Sequence, residues 1–400
     1  MRRSRTLAVL AAATTLLLTA ACSAKQTAAP GAAGFTPPNI PMQKSIGPGE
    51  GVVNIVAWAG YVEYGQDSPT VNWVKPFTEE TGCKVNLKVA GTSDEMVALM
   101  KTGQYDTVSA SGDATLRLIA GGNVAPVNTA LVPNYADIYP SLKMQPWNSV
   151  NGVAYGIPHG RGANLLMYNT AKVVPAPTSW GAVFDPDSPY AGHITAYDDP
   201  IYIADAALYL MKSQPELGIK NPYALTSSQL AAAVTLLKAQ KKNIGSYWSD
   251  YTKEQAAFDS GDDLLGTTWE VIQQAVAADG KVKTKAILPS EGATGWSDTW
   301  MIAAHAAHPN CAYKWMNYIV SPKVNAEVAE YFGEAPANSK ACSYITDNPD
   351  FCTEYHADDE AYWKNIYYWN TPTTLCVDGS GKDDCTDYAQ WVTAWNEIKD

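Results

Sequence analysis

The stretch Leu288-Pro-Ser-Glu-Gly-Ala-Thr-Gly-Trp-Ser-Asp-Thr-Trp-Met-Ile-Ala-Ala304 carries the pattern from which we predict the fold. It indicates a short apolar strand over residues 286–288, a glycine-rich turn, and then a second strand. Trp296, Ser297 and Asp298 are expected between the two strands. A carboxylate flanked by tryptophans offers a small cation one negative charge and several ring faces. The alternative is a β-turn whose tryptophans only pack.

The composition is typical of an acidic globular protein. The chain has 400 residues, of which 46% are hydrophobic and 10% aromatic, which is enough for two sizeable domains. Its formal net charge at pH 7 is −12. This balance argues against nucleic-acid binding and favours neutral or cationic ligands.

The first 50 residues predict export and membrane attachment. Three arginines precede an apolar run over residues 7–18 that is too short to cross a bilayer. Leu18-Thr-Ala-Ala-Cys22 follows and is similar to the bacterial lipobox, although an ordinary signal peptide containing a cysteine is the alternative. We expect a signal peptide over residues 1–21, lipid on Cys22, and a flexible tether over residues 22–50. The expected location is the extracytoplasmic face of the cell membrane.

The other six cysteines predict disulfide bonds, because an even number in an exported chain usually forms a covalent framework. Sequence spacing favours three pairs: Cys342 with Cys352, Cys376 with Cys385, and, by remainder, Cys83 with Cys311. Pairing of Cys311 with Cys342 stays an alternative. A metal site is disfavoured, because structural zinc prefers a CxxC spacing and the sequence contains none.

Alternating strands and helices predict a parallel α/β sheet in the first part of the chain. The strands are expected over residues 52–58, 83–89 and 105–111, with helices ending at residue 81 and over residues 93–100 and 114–120. Ligands of such sheets bind at the carboxyl ends of the strands, where Trp58, Ser111 and Asp113 fall. The alternative role of Asp113 is a cap on the helix that begins at Ala114.

A second α/β unit is expected from residue 169 onward. Its helices are predicted over residues 203–212, 227–240 and 254–258, with a strand over residues 264–268 that runs into Trp269. Two more helices are expected over residues 310–319 and 322–331, followed by an extended segment over residues 334–338. In the tail, from residue 341 on, helices are expected near residues 362–369 and 388–398.

Arg161 stands between two glycines and between two apolar strands. Such a guanidinium either makes a hinge contact, binds an anion, or forms a structural ion pair with an acidic residue. The sequence leaves these three possibilities open.

Several motifs, taken in order, resemble the spermidine/putrescine-type extracellular solute-binding proteins of ABC importers. They are the strand ending in Trp58 with Tyr61 after it, Phe77-Thr-Glu-Glu-Thr-Gly82, Tyr105-Asp-Thr-Val, Gly156-Ile-Pro158, Leu288-Pro-Ser-Glu-Gly292 before Ser297-Asp298, and Ala312-Tyr-Lys-Trp-Met-Asn-Tyr-Ile319. The likeness covers about residues 52 to 340. It rests on the order and spacing of the motifs, none of which is specific alone.

The resemblance implies an α/β, two-lobed periplasmic-binding-protein-like fold of type II, whose lobes close around a ligand in the cleft between them. The hinge crossings are expected near residues 159–162, 297–299 and 334–338. Lobe 1 is expected to hold residues 51–159 and 299–338, and lobe 2 residues 160–298 and 339–400, the latter with a cysteine-rich C-terminal extension.

The resemblance also assigns ligand-binding positions. Trp58 and Tyr61 match an aromatic wall, Ser111 a polar contact, Trp269 a stacking ring, and Asp298 an amine-binding carboxylate. Three further candidates, Asp113, Arg161 and Glu334, depart from the family pattern. The resemblance also implies acidic residues near residues 199–202 and three places after Trp269, but Ile, Tyr and Ile272 stand there, which weakens the case for a linear polyamine.

We therefore expect capture of a small amine-bearing solute and its delivery to an ABC permease with its ATPase. Asp298 is expected to meet the ammonium group, while Trp58, Trp269 and Trp296 enclose its apolar part. If Arg161 faces the cleft, a zwitterion is favoured. If it pairs with Glu334 or Asp298, a quaternary amine or polyamine is favoured.

No enzyme activity, cofactor or metal is expected, and a monomer is the expected state. The alternatives are a ligand-sensing receptor lipoprotein and a secreted lipoprotein hydrolase. The second has little support, because the sequence contains no G-x-S-x-G, no H-E-x-x-H and no phosphate-binding loop.

Overall fold

The computed structural model describes residues 36–66 and 68–400. The expected signal peptide and the lipidation candidate Cys22 lie outside the described residues. Within the two described ranges, no helix is both long enough and apolar enough to cross a membrane.

The described chain contains two main sheets and a small hairpin. The strands are β1 (Val52–Ala57), β2 (Lys84–Val89), β3 (Thr107–Ala110), β4 (Ser149–Val150), β5 (Val153–Ala154), β6 (Ile157–Ala163), β7 (Leu165–Asn169), β8 (Ile194–Tyr197), β9 (Ile244–Trp248), β10 (Leu265–Thr268), β11 (Thr284–Ile287), β12 (Ala293–Ile302), β13 (Ala335–Pro336) and β14 (Ile366–Tyr368).

The helices lie between and after these strands. They are α1 (Val74–Thr81), α2 (Ser93–Met100), α3 (Gly112–Ala120), α4 (Gly181–Phe184), α5 (Ile203–Ser213), α6 (Ser227–Gln240), α7 (Tyr251–Ser260), α8 (Glu270–Asp279), α9 (Pro309–Ile319), α10 (Pro322–Phe332), α11 (Phe351–Glu354), α12 (Glu360–Trp363) and α13 (Tyr388–Lys399). The long helices predicted from apolar periodicity are present, most closely α6, which a capping box at Thr226 begins.

The first lobe is built on a seven-stranded mixed sheet. Its order is β13-β6-β12-β3-β1-β2, with β14 paired to β12. β1 runs parallel to β2 and to β3, which confirms the parallel unit predicted from the alternating strands and helices. β12 runs antiparallel to β3 and β6 and therefore lies in the middle of this sheet.

The second lobe is built on a five-stranded sheet of order β11-β7-β10-β8-β9. β8 runs parallel to β9 and β10, whereas β7 runs antiparallel to β10 and β11. With helices around each sheet, the molecule has the two-lobed α/β architecture that was expected.

The lobes are packed against each other. The larger apolar cluster includes Val108 and Leu118 from the first lobe and Leu166 and Trp248 from the second. A smaller cluster, which surrounds Trp300, belongs to the first lobe alone. Because this cluster contains residues of both lobes, the lobes are in contact in this structure, and we call this arrangement the closed form.

The chain crosses between the sheets at places that differ from the expected ones. β6 of the first sheet ends at Ala163 and β7 of the second sheet begins at Leu165, so the first crossing is Asn164. The second crossing is residues 288–292, between β11 and β12. The expected crossings at residues 159–162 and 297–299 lie instead inside continuous strands of the first sheet.

The prediction that Trp296, Ser297 and Asp298 lie between two strands is wrong, because all three lie inside β12. β12 pairs with β6 and with β3 or β14 along its length, and these ladders keep it extended. The turn is formed by residues 288–292, where Gly292 has a φ of 87°, a conformation that favours glycine.

The tail also differs from expectation. The helix expected near residues 362–369 ends at Trp363, and residues 366–368 form β14, which runs parallel to β12 at residues 293–295. The physical reason is an open edge at the start of β12, which the β-prone sequence Ile-Tyr-Tyr can pair with. Helix α13 confirms the second predicted helix of the tail.

The described end of the expected tether is not free of the first lobe. The Glu50 carboxylate accepts hydrogen bonds from the backbone N–H groups of Asn310 and Cys311, at 3.0 and 2.9 Å, and so caps α9. Gln43 accepts a further bond from Asn128 through its backbone carbonyl. Ile46 packs against the first-lobe core. Residues 43–50 are therefore bound to the first lobe, which corrects the expectation that the tether extends to residue 50.

Three disulfide bonds join the six described cysteines. They link Cys83 with Cys311, Cys342 with Cys352, and Cys376 with Cys385. This confirms the pairing favoured by sequence spacing and excludes the alternative pair of Cys311 with Cys342.

Candidate functional site

Asp298 lies at the middle of β12 and is 3% exposed. Its Oδ1 accepts a hydrogen bond from Ser111 Oγ at 2.5 Å, and its Oδ2 accepts one from Tyr61 Oη at 2.8 Å. Ser111 precedes α3 directly, and Tyr61 follows β1. Three segments of the first lobe therefore converge on one carboxylate.

Glu334 is the second acid at this point. Tyr61 Oη lies 2.9 Å from Glu334 Oε2. Burial and the charge of Asp298 raise the pKa of Glu334 well above its ordinary value, so its neutral form is favoured. His159 Nε2 lies 3.4 Å from Glu334 Oε1, and burial lowers the pKa of His159 to about 3. The histidine is therefore neutral, and the contact is not an ion pair.

Two glycines of β6 make room for this group. A Cβ added at Gly160 would lie 2.1 Å from Glu334 Cδ, and one added at Gly162 would lie 2.3 Å from Trp296 Cζ2. Because these two glycines have no side chain, the backbone of β6 can lie directly against the Glu334 carboxyl group and the Trp296 indole.

Two further buried carboxyl groups, Asp113 and Asp199, adjoin this site, and Asp113 interacts with both Asp298 and Asp199. Burial, partly offset by the charge of Arg117, raises the pKa of Asp113 to about 6. Burial and then the charge of Asp113 raise the pKa of Asp199 to about 8. Burial also raises the pKa of Asp298 to about 6, with a smaller contribution from Asp113. The charge of Asp113 thus disfavours ionisation of both Asp199 and Asp298.

We call Asp113, Asp199, Asp298 and Glu334 the acidic cluster. All four side chains are buried. Asp113, Asp298 and Glu334 come from the first lobe, whereas Asp199 follows β8 in the second, so the cluster spans the boundary between lobes. Arg117 attracts Asp113 and Asp199, but its own guanidinium is bound to Asp94 at 2.6 Å.

Asp113 does not cap α3, which was the alternative role considered for it. The N-cap position is held by Ser111, and Asp113 lies in the first turn, where its Oδ1 accepts a hydrogen bond from Ser93 Oγ at 3.0 Å. Its carboxyl group therefore remains directed into the buried interior rather than to the helix end.

An aromatic group adjoins the acidic cluster. Trp269 contacts Trp296, with ring centroids 6.1 Å apart, and Tyr197 at 5.7 Å. Trp269 Nε1 donates to Asn164 Oδ1 at 2.9 Å, which ties the ring to the first crossing. The structure thus brings together two of the three predicted ligand-facing tryptophans. Trp58 is partly buried and packs against both core clusters.

Ser297 and Arg161 do not join the acidic cluster. Ser297 is buried next to Asp298 on β12, where neighbouring side chains point to opposite faces. Arg161 pairs with Glu360 at 3.0 Å and lies over the Trp363 ring at 4.3 Å. Its partner is thus neither Glu334 nor Asp298, because the tail brings a different acid to it.

The tail also contributes to this site, which the sequence did not predict. Thr371 Oγ1 donates to the backbone carbonyl of Asp113 at 2.6 Å, and the Trp369 ring is stacked on Tyr197 at 5.7 Å. Trp369 also donates its backbone N–H to Gly295. The C-terminal extension therefore reaches the site between the lobes and does not only cover the second lobe.

Asp199 was also missed, although a signal for it exists. It follows the buried strand β8 after one residue and begins the 3-10 turn over residues 200–202. The strand-end rule that selected Trp58 and Ser111 in the first lobe, applied equally to the second, identifies Asp199.

Comparison with known proteins places this geometry in context. A family model described as bacterial extracellular solute-binding protein matches residues 72–353. The spermidine/putrescine-binding periplasmic protein of Escherichia coli K12 is 27% identical over 288 residues, which are 71% of this chain and 77% of that protein. The putrescine-binding periplasmic protein SpuD of Pseudomonas aeruginosa is 24% identical over 313 residues, 74% and 81% of the respective chains.

A solved structure shows the same fold. The putative spermidine/putrescine ABC transporter protein of Listeria monocytogenes superposes with a TM-score of 0.69 at 19% identity, covering 88% of this chain and 99% of that one. At this identity the likeness is one of fold, and it agrees with the two lobes described above.

Proposed function

The chain belongs to the bacterial extracellular solute-binding proteins, the non-enzymatic capture components of ABC importers, and from this premise we propose that it binds a small amine-bearing solute between its lobes. The solute is then delivered to an ABC permease driven by its ATPase. Attachment through lipid on Cys22 and action as a monomer at the extracytoplasmic face of the membrane are parts of the same proposal.

The observation that carries the proposal is the acidic cluster. Burying several carboxyl groups together is unfavourable unless a positive charge is supplied, as the raised pKa values of Asp113, Asp199 and Asp298 reflect. An ammonium group bound among them supplies that charge. The adjoining tryptophan rings, Trp269 and Trp296, offer their faces to the alkyl chain or to the cation.

The number and position of the acids bear on the length of the ligand. The second lobe supplies Asp199, whereas position 272 is a buried isoleucine. One carboxylate from the second lobe, facing those of the first, fits a solute with one or two ammonium groups better than a longer polyamine. The relatives from Escherichia coli and Pseudomonas aeruginosa carry names that include putrescine, a diamine, and this supports the same ligand class.

Titration calorimetry with four amines tests the proposal. The purified protein is titrated with putrescine, spermidine, 4-aminobutyrate and betaine, and butanol serves as an uncharged control of similar size. We expect saturable heat with at least one amine and none with butanol. Absence of heat with all four amines would overturn the assignment of an amine ligand.

A further inference from the structure

A cavity of about 320 Å³ lies beside Arg161 and is separate from the acidic cluster. This volume is within the range of small-molecule sites. It is lined by residues of both lobes and of the tail, and none of the four acids of the cluster contributes to it. The lining side chains that matter here are Ser141, Trp147, Arg161, Glu360, Tyr368 and Asn370.

The guanidinium of Arg161 is completely buried but only partly bonded. Its Nη2 donates to the Ala357 carbonyl at 3.1 Å and to Glu360 Oε1 at 3.0 Å. Its Nη1 has only two long contacts, to Ser141 Oγ at 3.4 Å and to Tyr368 Oη at 3.5 Å, and its Nε has no partner among the described residues. A buried charged donor without an acceptor raises the free energy of the folded protein. An additional acceptor at these N–H groups would therefore be stabilising.

Two other lining residues have unpartnered buried polar atoms. Trp147 Nε1 lacks an acceptor, and Asn370 Oδ1 lacks a donor, among the described residues. The Trp147 ring is stacked on Tyr368, with centroids 4.5 Å apart and an angle of 27°, which gives the cavity a flat aromatic wall. The unpartnered groups are mainly donors, and they lie beside an apolar surface.

The charge of the lining also favours an anion. Arg161 and Lys364 contribute two positive charges, and Glu360 contributes one negative charge. The Glu360 side chain is 44% exposed, and its Oε1 alone accepts from Arg161 Nη2 and from Ser141 Oγ, both at 3.0 Å. A ligand carboxylate can accept the same two hydrogen bonds while Glu360 turns to solvent. The Glu360 carboxylate thus occupies the position that we expect a ligand carboxylate to take.

We propose that this cavity binds the carboxylate group of a small organic molecule, which is either a simple organic acid or the acidic end of a zwitterion. The carboxylate accepts hydrogen bonds from the guanidinium of Arg161, a group that favours bidentate pairing with carboxylates. It accepts a further hydrogen bond from the indole N–H of Trp147. The apolar part of the molecule lies on the Trp147–Tyr368 wall. This site does not depend on an amine in the acidic cluster.

Three probes of equal chain length distinguish the possibilities. The protein is titrated with butyrate, 4-aminobutyrate and putrescine, and the indole N–H signal of Trp147, assigned from Trp147→Phe, is followed by NMR together with the heat of binding. We expect the two carboxylates to shift this signal saturably and putrescine to leave it unmoved. Binding of butyrate indicates a simple acid as ligand, whereas binding of 4-aminobutyrate alone indicates a zwitterion.

Substitutions at Glu360 and Arg161 test the site directly. Glu360→Gln removes the competing charge and should tighten carboxylate binding severalfold, while Arg161→Gln should weaken it about tenfold or more. Asp187→Asn, which changes an acid whose side chain is 95% exposed, should leave carboxylate binding unchanged. If neither carboxylate moves the Trp147 signal, or if Glu360→Gln does not tighten carboxylate binding, the proposal is wrong. Both measurements, the Trp147 signal of the wild type and the affinity of Glu360→Gln, can still be made if Arg161→Gln does not fold. Neither result bears on the proposal of an amine ligand in the acidic cluster.

Discussion

Tyr61 has one phenolic hydrogen but lies within hydrogen-bonding distance of two buried carboxyl groups, those of Asp298 and Glu334. The hydrogen cannot be donated to both at once. Because the charge of Asp298 helps to raise the pKa of Glu334, the favourable arrangement is an ionised Asp298 beside a protonated Glu334. A bound ammonium group therefore meets one fixed negative charge here, with a neutral acid next to it.

Asp199→Asn should stabilise the ligand-free protein, and more so in alkaline solution. The pKa of Asp199 is raised from 3.8 to about 8, so the folded state binds more protons than the unfolded state between these values. The contribution of this group to stability is therefore highest at low pH and falls as the pH rises toward 8. Replacement by asparagine removes the penalty, and we expect a gain of about 1–2 kcal/mol at pH 8.5.

Thermal unfolding of the wild type and Asp199→Asn at pH 5 and pH 8.5 checks this expectation. Asp187→Asn, which alters an acid whose side chain is 95% exposed, serves as the control. A gain that is equal at both pH values, or that the control reproduces, would contradict a raised pKa at Asp199.

At the scale of single elements, β12 organises the site. It places Trp296 and Asp298 two positions apart on one strand and brings them against β6, whose glycines leave space for side chains. Ser111 lies at the end of the neighbouring strand β3. The carboxylate is thus held by a central strand with partners on both sides, which limits its movement and keeps it positioned for a ligand.

Gly162→Ala should disturb this arrangement. The added Cβ would approach the Trp296 ring to 2.3 Å, so the indole must move away from its contact with Trp269. We expect a loss of stability of about 1–3 kcal/mol and weaker amine binding. Chemical unfolding and calorimetry measure the two effects, with Gly91→Ala as the control, because the nearest atom to its added Cβ would be 4.0 Å away. Equal behaviour of the two variants would refute the packing role of Gly162.

The sequence predicted the alternating elements but not the local form of β12 and β14. Apolar periodicity determines a helix such as α6 within its own residues. By contrast, Gly295 and Ser297 have turn propensity, and only pairing with strands more than 60 residues away in sequence keeps them extended. The same long-range pairing explains why residues 366–368 form a strand and not a helix. The surroundings of Asp199 and Arg161 could not be predicted for the same reason. Asp199 interacts with Asp113 of the other lobe, and Arg161 pairs with Glu360 of the tail.

At the scale of the whole molecule, the tail joins the two lobes. α13 packs against α6 of the second lobe, while Tyr388 at its start donates to Asp94 of the first lobe at 3.1 Å. Arg117 of the first lobe lies over the same Tyr388 ring at 4.0 Å. Opening of the lobes must therefore break these contacts or move the tail, so the tail contributes to the stability of the closed form.

Tyr388→Phe should weaken amine binding without unfolding the protein. The substitution removes the hydrogen bond to Asp94 but keeps the ring beneath Arg117. Since the closed form loses one interlobe bond, the population competent to hold ligand falls, and the affinity should drop about two- to fivefold. Calorimetry gives the affinity, and X-ray scattering gives the radius of gyration of the ligand-free protein, which should increase slightly.

Tyr344→Phe, at a tyrosine that is 52% exposed, is the control. Unchanged affinity and size would show that the tail does not hold the lobes together.

The central claim is that buried carboxylates, with Asp298 at their centre, bind the ammonium group of the solute. The most direct measurement is calorimetric titration of the wild type and of Asp298→Asn with the amine that binds most tightly in the panel described above, at pH 7.5. The substitution keeps the shape and one acceptor but removes the charge, so we predict an affinity at least about tenfold lower, with the fold retained. An affinity equal to that of the wild type would contradict the claim.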